Sequence, residues 1–182
     1  MTSILKVDQL QDSGGNALIT SDGAGNLTQG TIPATAIGTG AVVQVVQSGN
    51  FSRNVVTSTS DVSLGTLSIT PNNTSNKILI TCLNHIYVSS YATNNWRGAL
   101  ITVKRDSTTL LTDGTGYGTG AWLDFDSDRY MCYSSLHYLD SPNTTSAITY
   151  EVFGQSKSGS SIDFNNSNFG SQGRFILMEI AG

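Results

Sequence analysis

Hydrophobic and polar residues alternate along most of the chain between residues 42 and 182. In several segments every second residue is apolar, which is the period of a half-buried β-strand. Clusters of Gly, Pro, Asn, Asp and Ser separate these segments and favour turns. We predict strands at residues 42–47, 61–70, 77–88, 97–105, 108–112, 129–139, 146–154, 160–164 and 173–182. This number of strands in one domain indicates an all-β fold, a jelly-roll-like antiparallel β-sandwich.

Residues 77–88 form the longest predicted strand, and both of its faces are apolar. One face carries Ile78, Ile80, Cys82, Ile86 and Val88, and the other carries Leu79, Thr81, Leu83, His85 and Tyr87. We therefore expect this strand to be covered on both sides, and in a small sandwich the second cover is often another subunit. A change of alternation at Gly65-Thr66 predicts a β-bulge in the strand at 61–70.

The segment 173–182 contains a start signal, Gly173-Arg174, followed by the run Phe-Ile-Leu-Met-Glu-Ile. An apolar strand at the end of a chain would fray and be sticky if it lay at an open edge. We therefore expect this strand to lie inside a sheet.

Residues 1–41 follow a different pattern. A short strand is predicted at 3–10, and two similar turn units follow it, Asp12–Leu18 and Asp22–Leu27. Each unit places Gly at a turn and an apolar residue soon after Asn. Units this small cannot be stable alone, so we expect residues 1–41 to intertwine with copies of the chain or to dock on a partner. The candidate assembly residues are Ile4, Leu5, Val7, Leu10, Leu18 and Leu27.

The stretch 28–41 is small, rich in Gly and Thr, and interrupted by Pro33, so we interpret it as a linker. The predicted organisation is thus an N-terminal intertwined or docked segment with its linker at 1–41 and a β-sandwich head domain at 42–182.

Composition adds to this interpretation. Ser, Thr, Asn and Gly make up 79 of 182 residues, only two residues are Glu, and 12% are charged. Such a polar, weakly charged β-protein is typical of virions and extracellular surfaces. The net charge is −4 and the basic residues are scattered, so we expect no nucleic-acid binding. We also expect no membrane insertion and no signal peptide. Cys82 and Cys132 are predicted to be buried thiols rather than a disulfide.

Three aspartates, Asp124, Asp126 and Asp128, form the densest acidic cluster. Oxygen ligands at this density suit a hard cation such as Ca²⁺. An EF-hand loop starting at Asp124 needs Gly at its sixth position and a carboxylate at its twelfth, where this chain has Arg129 and Ser135. We favour a solvated acidic loop without a metal. The same aspartates could form the carboxylate pair of a polysaccharide depolymerase. We nevertheless predict no catalytic residues, no enzyme activity and no cofactor.

Four aromatic residues lie in or beside polar, Gly-rich loops: Tyr91, Trp96, Tyr117 and Trp122. Aromatic rings flanked by Asn and Asp commonly bind sugars by stacking and hydrogen bonding. These residues are therefore the candidate receptor-binding site, although packing beneath their own loops or between subunits is the simpler alternative. His85 and His137 lie in predicted strands, where we expect packed or interface residues.

Four segments resemble bacteriophage fibre proteins of the marine and cyanophage kind. They are the opening Ile4-Leu5-Lys6-Val7-Asp8-x-Leu10, the Ile-Thr-Pro segment at 69–80, the Leu-Asp-Ser-Pro corner at 138–150 and the ending Met-Glu-Ile-Ala-Gly. The resemblance implies a homotrimeric virion protein, such as a tail fibre, that is assembled in the cytoplasm of a bacterial host. It also implies a jelly-roll head of the tumour-necrosis-factor or complement-C1q kind.

On this interpretation, residues 1–41 contact other virion proteins, and loops around 89–97 and 113–128 attach to cell-surface glycan. Three alternatives stay open: a capsid or neck decoration protein without receptor binding, a small depolymerase, and a free carbohydrate-binding module.

Overall fold

The computed structural model describes residues 7, 9–30, 38–88, 98–111, 130–157, 159–166, 168 and 173–182. The chain forms two compact units, Met1–Gly38 and Thr39–Gly182. All the regular elements in the described residues are β-strands joined in antiparallel pairs. The predicted all-β class is therefore confirmed.

The N-terminal unit is a three-stranded sheet in the order β1-β2-β3. Its strands are β1 (Gln9–Gln11), β2 (Ala17–Ser21) and β3 (Leu27–Gly30). Strand β1 begins at Gln9, so the described strand lies later than the prediction at 3–10, most of which falls outside the described residues. Strand β3 takes up the first residues of the segment 28–41, so the start of that predicted linker is a strand instead.

The two turn units of this sheet have the same hydrogen-bonding pattern. Asp12 Oδ1 accepts a bond from the backbone N–H of Asn16 at 2.9 Å, and Asp22 Oδ1 accepts one from Asn26 at 3.1 Å. Each Asn side chain also donates to the other carboxylate oxygen of its Asp, at 3.0 and 2.7 Å. Because these bonds favour the charged carboxylate, they lower the pKa of both Asp12 and Asp22.

The head contains ten strands in the described residues. They are β4 (Val42–Gln47), β5 (Asn54–Val56), β6 (Val62–Ile69), β7 (Lys77–Val88), β8 (Ala99–Arg105), β9 (Thr108–Leu111), β10 (Tyr130–Asp140), β11 (Ile148–Ser156), β12 (Ile162–Phe164) and β13 (Arg174–Ile180). The sequence pattern predicted all of them except the three-residue strand β5.

The head strands form two sheets. The large sheet has the order β4-β13-β7-β12-β5, with β10 paired along the other side of β7, and the small sheet has the order β6-β11-β8-β9. The strand sets β4-β13-β7-β10 and β6-β11-β8-β9 have the order of a jelly roll. This confirms the predicted jelly-roll-like sandwich.

Alternation along the strands produces the core between the two sheets. Ile78, Ile80, Cys82 and Ile86 of β7 point inward and are fully buried. The other buried core residues are Phe51, Val56, Leu64, Ile69, Val88, Ala99, Ile101, Val103, Leu136, Ile148, Tyr150, Val152, Ile162, Phe164, Phe175 and Leu177. Cys82 is buried and Cys132 is half-buried, and both are free thiols. Burial raises the pKa of Cys82 to about 12, so this thiol is a packing group.

A β-bulge interrupts β6 close to the predicted position. The pairing with β11 shifts between Val152 and Phe153, whose partners are Gly65 and Ser63, so the irregularity lies at Leu64 instead of at Gly65-Thr66. The shift lets both Leu64 and Ile69 point into the core although their spacing is odd. The ring of Phe51 occupies the space that a Cβ on Gly65 would need, which explains the glycine.

Strand β13 lies between β4 and β7. Leu177 pairs with Ile80 on one side and with Val46 on the other. The expectation that this strand lies inside a sheet is confirmed.

Candidate functional site

Most residues singled out from the sequence lie outside the described part of the chain. These are the aromatic candidates Tyr91, Trp96, Tyr117 and Trp122, the acidic cluster Asp124, Asp126 and Asp128, and the assembly candidates Ile4 and Leu5. Their proposed roles stay predictions. Leu27 is the first residue of β3, and Val7, Leu10 and Leu18 are described with their side chains.

The described assembly candidates of the N-terminal unit are exposed. Val7, Leu10 and Leu18 are 53%, 48% and 38% exposed. Leu10 pairs with Ile19 across β1 and β2, and Ile19 is also exposed. The sequence analysis overlooked Ile19, although its position after Leu18 places it on the opposite face of β2. This unit thus has apolar side chains on both faces of one thin sheet.

The outer face of the large sheet carries an apolar row across four strands. Leu139 of β10 pairs with Leu79 of β7, which pairs with Met178 of β13, which pairs with Val45 of β4. Side chains of directly paired residues lie about 5 Å apart on the same face. Leu139 and Val45 are 48% and 57% exposed. We call these four residues the apolar row.

More apolar side chains continue this surface on both sides of the row. Leu83, Met131, Tyr133 and Val42 point to the same outer side and are exposed, and Ile176 and Ile180 are half-buried. We call the outward side chains of β4, β7, β10 and β13 together the apolar face. Its second cover, which the sequence pattern predicted for the strand at 77–88, is incomplete in the single chain.

The outer face of the small sheet is mainly polar. Thr66 and Ser68 are exposed, and they pair with Glu151 and Thr149 across β6 and β11. Ser68 and Thr149 share a hydroxyl hydrogen bond of 2.8 Å. The ring of Phe153 on this side is covered by the Lys104 ammonium, 4.5 Å from its centroid.

The two histidines occupy different environments on the large sheet. His85 is buried, and the ring of Tyr133 packs against it edge-on at 5.3 Å. Burial lowers the pKa of His85, which the nearby Asp163 carboxylate partly opposes. The expectation of a packed histidine is correct for His85. Asp163 is itself buried and bonds Arg53 at 2.7 Å.

His137 is exposed on the apolar face between two hydroxyl groups. Its Nε2 lies 3.1 Å from Ser135 Oγ, and its Nδ1 lies 3.3 Å from Thr81 Oγ1. A serine nucleophile activated by histidine needs a group that stabilises the imidazolium, which is usually a carboxylate. Here a threonine hydroxyl occupies that position on an open sheet surface. These hydroxyl contacts lack the carboxylate of a Ser-His-Asp triad, and the expectation that His137 is an interface residue stays a prediction.

A buried carboxyl group joins the closing strand to the rest of the head. Glu179 is fully buried and accepts bonds from the backbone N–H of Asn72 at 2.7 Å, from Asn76 Nδ2 at 2.6 Å and from Gln44 Nε2 at 2.6 Å. Asn72 Nδ2 donates a further bond at 3.1 Å. Two segments that carry the phage-fibre resemblance, 69–80 and 178–182, therefore meet at this side chain.

A second buried carboxylate lies in the third resembling segment. Asp140 of β10 accepts both a bond from Tyr150 Oη at 2.7 Å and two bonds from Arg105 Nη1 at 2.8 and 2.7 Å. Arg105 and Tyr150 belong to the small sheet, so this cluster ties the two sheets together. Burial and the bond to Asp140 raise the pKa of Tyr150. The sequence analysis assigned no structural role to Asp140, Tyr150 or Arg105.

The described part of the chain contains no group of three or more His, Cys, Asp or Glu side chains that could hold a metal ion. In the same residues no helix is long and apolar enough to cross a membrane.

No protein-family model matches the chain, and no curated protein matches its sequence. Among solved structures, it is similar to a structure of the infectious bursal disease virus Gx strain, with a TM-score of 0.41 and 11% identity over 76% of this chain and 33% of that one. The VP2 subviral particle of the same virus gives a TM-score of 0.39 at 12% identity, with the same two coverages. Dimeric latent PorU from Porphyromonas gingivalis gives 0.34 at 8% identity over 80% of this chain and 14% of that one.

The chain thus spans about a third of the length of the two viral chains it matches. TM-scores this low describe distant likenesses.

Proposed function

We propose that the chain is a structural virion protein, a trimeric bacteriophage tail fibre or a similar appendage. Its β-sandwich head attaches to the host surface by binding, without catalysis. The observation that carries this proposal is the apolar face, which leaves half-exposed Leu, Val, Met and Tyr side chains on one side of a head whose other side is polar. Four segments that resemble phage fibres add support for the class of particle.

Self-association is the use of the apolar face that we propose. Four strands about 4.8 Å apart and six residues long present roughly 400 Å² of projected sheet surface. A stable interface buries about 800 Å² on each partner. The face therefore needs further contact area, which a closed threefold arrangement offers because each head then meets two neighbours.

The N-terminal unit is the proposed contact with other virion proteins. Its exposed Val7, Leu10, Leu18 and Ile19 lie on a sheet of only three short strands. A sheet of this size gains stability when a partner covers it. Covering it with copies of the same unit is the alternative outcome.

Attachment to a host glycan is the proposed role of the segments at 89–97 and 113–128, which the sequence predicts to be loops. Its support is the set of four aromatic residues flanked by polar loop residues. A protein that decorates a capsid or neck would have the same head and no such binding.

Light scattering on the full chain tests the proposed assembly. A mass of three times 19.3 kDa is expected for the trimer. A single-chain mass would contradict the trimer and favour a free carbohydrate-binding module.

Binding of the fluorescently labelled full chain to host cells tests attachment. We expect Trp96→Ala and Trp122→Ala to reduce binding without changing the mass, while Thr66→Ala on the polar outer face leaves binding intact. Failure of the wild-type protein to bind any plausible host would leave the decoration role. Release of reducing sugar from envelope material would instead show a depolymerase.

A further inference from the structure

We propose that β13 is a folding latch of the head: it enters the large sheet last, Glu179 fixes its register, and the apolar face is complete only after this step. The inference rests on the fold of Thr39–Gly182 and does not depend on the virion role. Its consequence is that self-association follows completed folding and does not compete with it.

The position of β13 in the sheet is the first reason. It follows every other strand of the head in sequence, yet it lies between β4 and β7. Among the described strands β4 pairs with β13 alone, so β4 joins the large sheet through β13. The contact between Gln44 and Glu179 spans 135 residues of chain. Among the described strand pairs, β4 and β13 lie furthest apart in sequence, and because long-range pairing is slow we place this step last.

Glu179 gives the insertion a single correct register. Its carboxyl group is held by donors from β4 and from the turn between β6 and β7, which are Gln44, Asn72 and Asn76. A slip of one residue would turn Glu179 to the outer face and place Met178 or Ile180 among these donors. Asn76 is buried, and a buried donor without an acceptor is costly, so the slipped strand is unstable.

Hydrogen bonds beyond the carboxyl group fix both ends of the strand. Near its start, the N–H of Phe175 donates to Ser48 Oγ at 2.9 Å. After its end, the N–H of Ala181 donates to the carbonyl of Ala41 at 2.9 Å, and the N–H of Gly182 donates to Asn76 Oδ1 at 3.2 Å. The strand is thus held in one position from end to end.

Insertion of β13 also completes the surface proposed for self-association. Met178 lies in the apolar row between Leu79 and Val45, and Ile176 and Ile180 lie on the same face. Before β13 is in place, β4 and its Val45 are not yet joined to Leu79. The continuous apolar face therefore exists only in the fully folded head.

Pulse-labelling hydrogen exchange during refolding of the full chain tests the order of events. We expect the amides of β6, β8 and β11, which pair without β13, to be protected first. The amides of β4 and β13 should then become protected together in the final phase. Protection of β4 or β13 in the first phase would overturn the proposal.

The two glutamates of the chain provide a matched pair of variants. Glu179→Ala should slow the final phase about tenfold because it removes the acceptor around which that step is organised. Glu151→Ala, on the polar outer face, should leave the phase unchanged. Equal slowing by both variants would contradict the latch.

A second substitution keeps the test decisive if Glu179→Ala does not fold. Glu179→Gln retains one acceptor oxygen and brings an NH₂ group toward the donors, so it should slow the final phase by a smaller factor. An unchanged final phase in Glu179→Gln would overturn the role of the carboxyl group. A chain that shows the expected order but stays monomeric would refute the proposed trimer and leave the latch supported.

Discussion

The outer faces of the two head sheets differ although the same alternation builds both sheets. In the small sheet, the outward positions of β6 carry Ser63, Thr66 and Ser68. In the large sheet, the outward positions of β7 include Leu79 and Leu83, and their neighbours in β10 and β13 are also largely apolar. Folding alone explains the inward residues of both sheets. The outward apolar residues need another explanation, and contact with another protein surface provides one.

The two sheets also use buried polar groups differently. Glu179 and Asp140 belong to strands of the large sheet, both are buried, and each accepts several hydrogen bonds. The small sheet's outward polar groups form mainly pairs between neighbouring strands, such as Ser68 with Thr149. The large sheet is thus fixed by hydrogen bonds to buried carboxyl groups, whereas the exposed hydrogen bonds of the small sheet contribute less to stability.

A charge introduced into the apolar row should have the largest effect on assembly. Leu79 lies at the centre of the row between Leu139 and Met178, so Leu79→Glu would place a carboxylate in the proposed contact and should abolish self-association. Light scattering of the full chain measures this as a fall to the mass of one chain. Leu79 is half-buried, so the variant should still fold.

Thr66→Glu provides the control for that substitution. Thr66 is exposed on the outer face of the small sheet, and the same charge there should leave the assembled mass unchanged. Loss of assembly in both variants would show that the contrast between the two faces does not determine association.

Removal of the buried carboxyl group should have the largest effect on the stability of the head. Glu179→Ala leaves the donors of Asn72, Asn76 and Gln44 without their acceptor and should lower the free energy of unfolding by about 3 kcal/mol. Glu151→Ala should change it by less than about 0.5 kcal/mol. Chemical denaturation of both variants measures the difference, and equal values would refute the structural role of Glu179.

Alternation along the sequence predicted most of the strands, because the alternation itself results from the burial of every second side chain in the core. The strand at 77–88 was predicted at its observed bounds, and the strand at 173–182 within one residue at its start and two at its end, because long apolar alternation is a strong strand signal. Strand β5 was missed because Asn54–Val56 is too short to show a period. Its partner Ile162–Phe164 is 106 or more residues away, and a local pattern does not record such a contact.

The functional residues were harder to predict. The apolar row depends on the register of four strands, which comes from the three-dimensional pairing of Leu139, Leu79, Met178 and Val45. A signal for Glu179 was nevertheless present, because it shares the inward period of Phe175 and Leu177. A carboxyl residue at the third position of such a series predicts a buried, hydrogen-bonded group.

Loss of the hydrogen bond between Tyr150 and Asp140, which joins the two sheets, should have a smaller effect on the stability of the head. Tyr150 is fully buried, and its hydroxyl donates to Asp140 Oδ2 at 2.7 Å. Tyr150→Phe removes this bond and leaves Asp140 with Arg105, so we expect a loss of about 1 to 2 kcal/mol in the free energy of unfolding. Thr149→Val, which removes the exposed bond to Ser68, should cost less than about 0.5 kcal/mol. Similar losses in the two variants would show that burial of the Tyr150–Asp140 hydrogen bond does not increase its contribution to stability.

The smallest effect is expected at the partly buried ion pair of Asp61 and Lys104. Their side chains are 24% and 25% exposed, and the closest nitrogen–oxygen distance is 2.7 Å. Burial tends to raise the pKa of Asp61, but hydrogen bonds from Lys104 and Gln155 and the charge of Lys104 outweigh it, so the pKa lies below its ordinary value. The carboxylate therefore stabilises the fold above the pKa of the unfolded state, and this contribution is lost as the pH falls through the lower folded-state pKa.

Asp61→Asn should accordingly lower the free energy of unfolding by about 0.5 to 1 kcal/mol at neutral pH and by less at acidic pH. Urea denaturation of the variant and the wild type between neutral pH and pH values below the unfolded pKa measures this convergence. Asp106→Asn, at a residue whose carboxylate accepts a backbone bond from Thr149, serves as a comparison without a cation partner in the described residues. If the loss of stability in Asp61→Asn instead grows on acidification, the ionised Asp61 carboxylate destabilises the folded head.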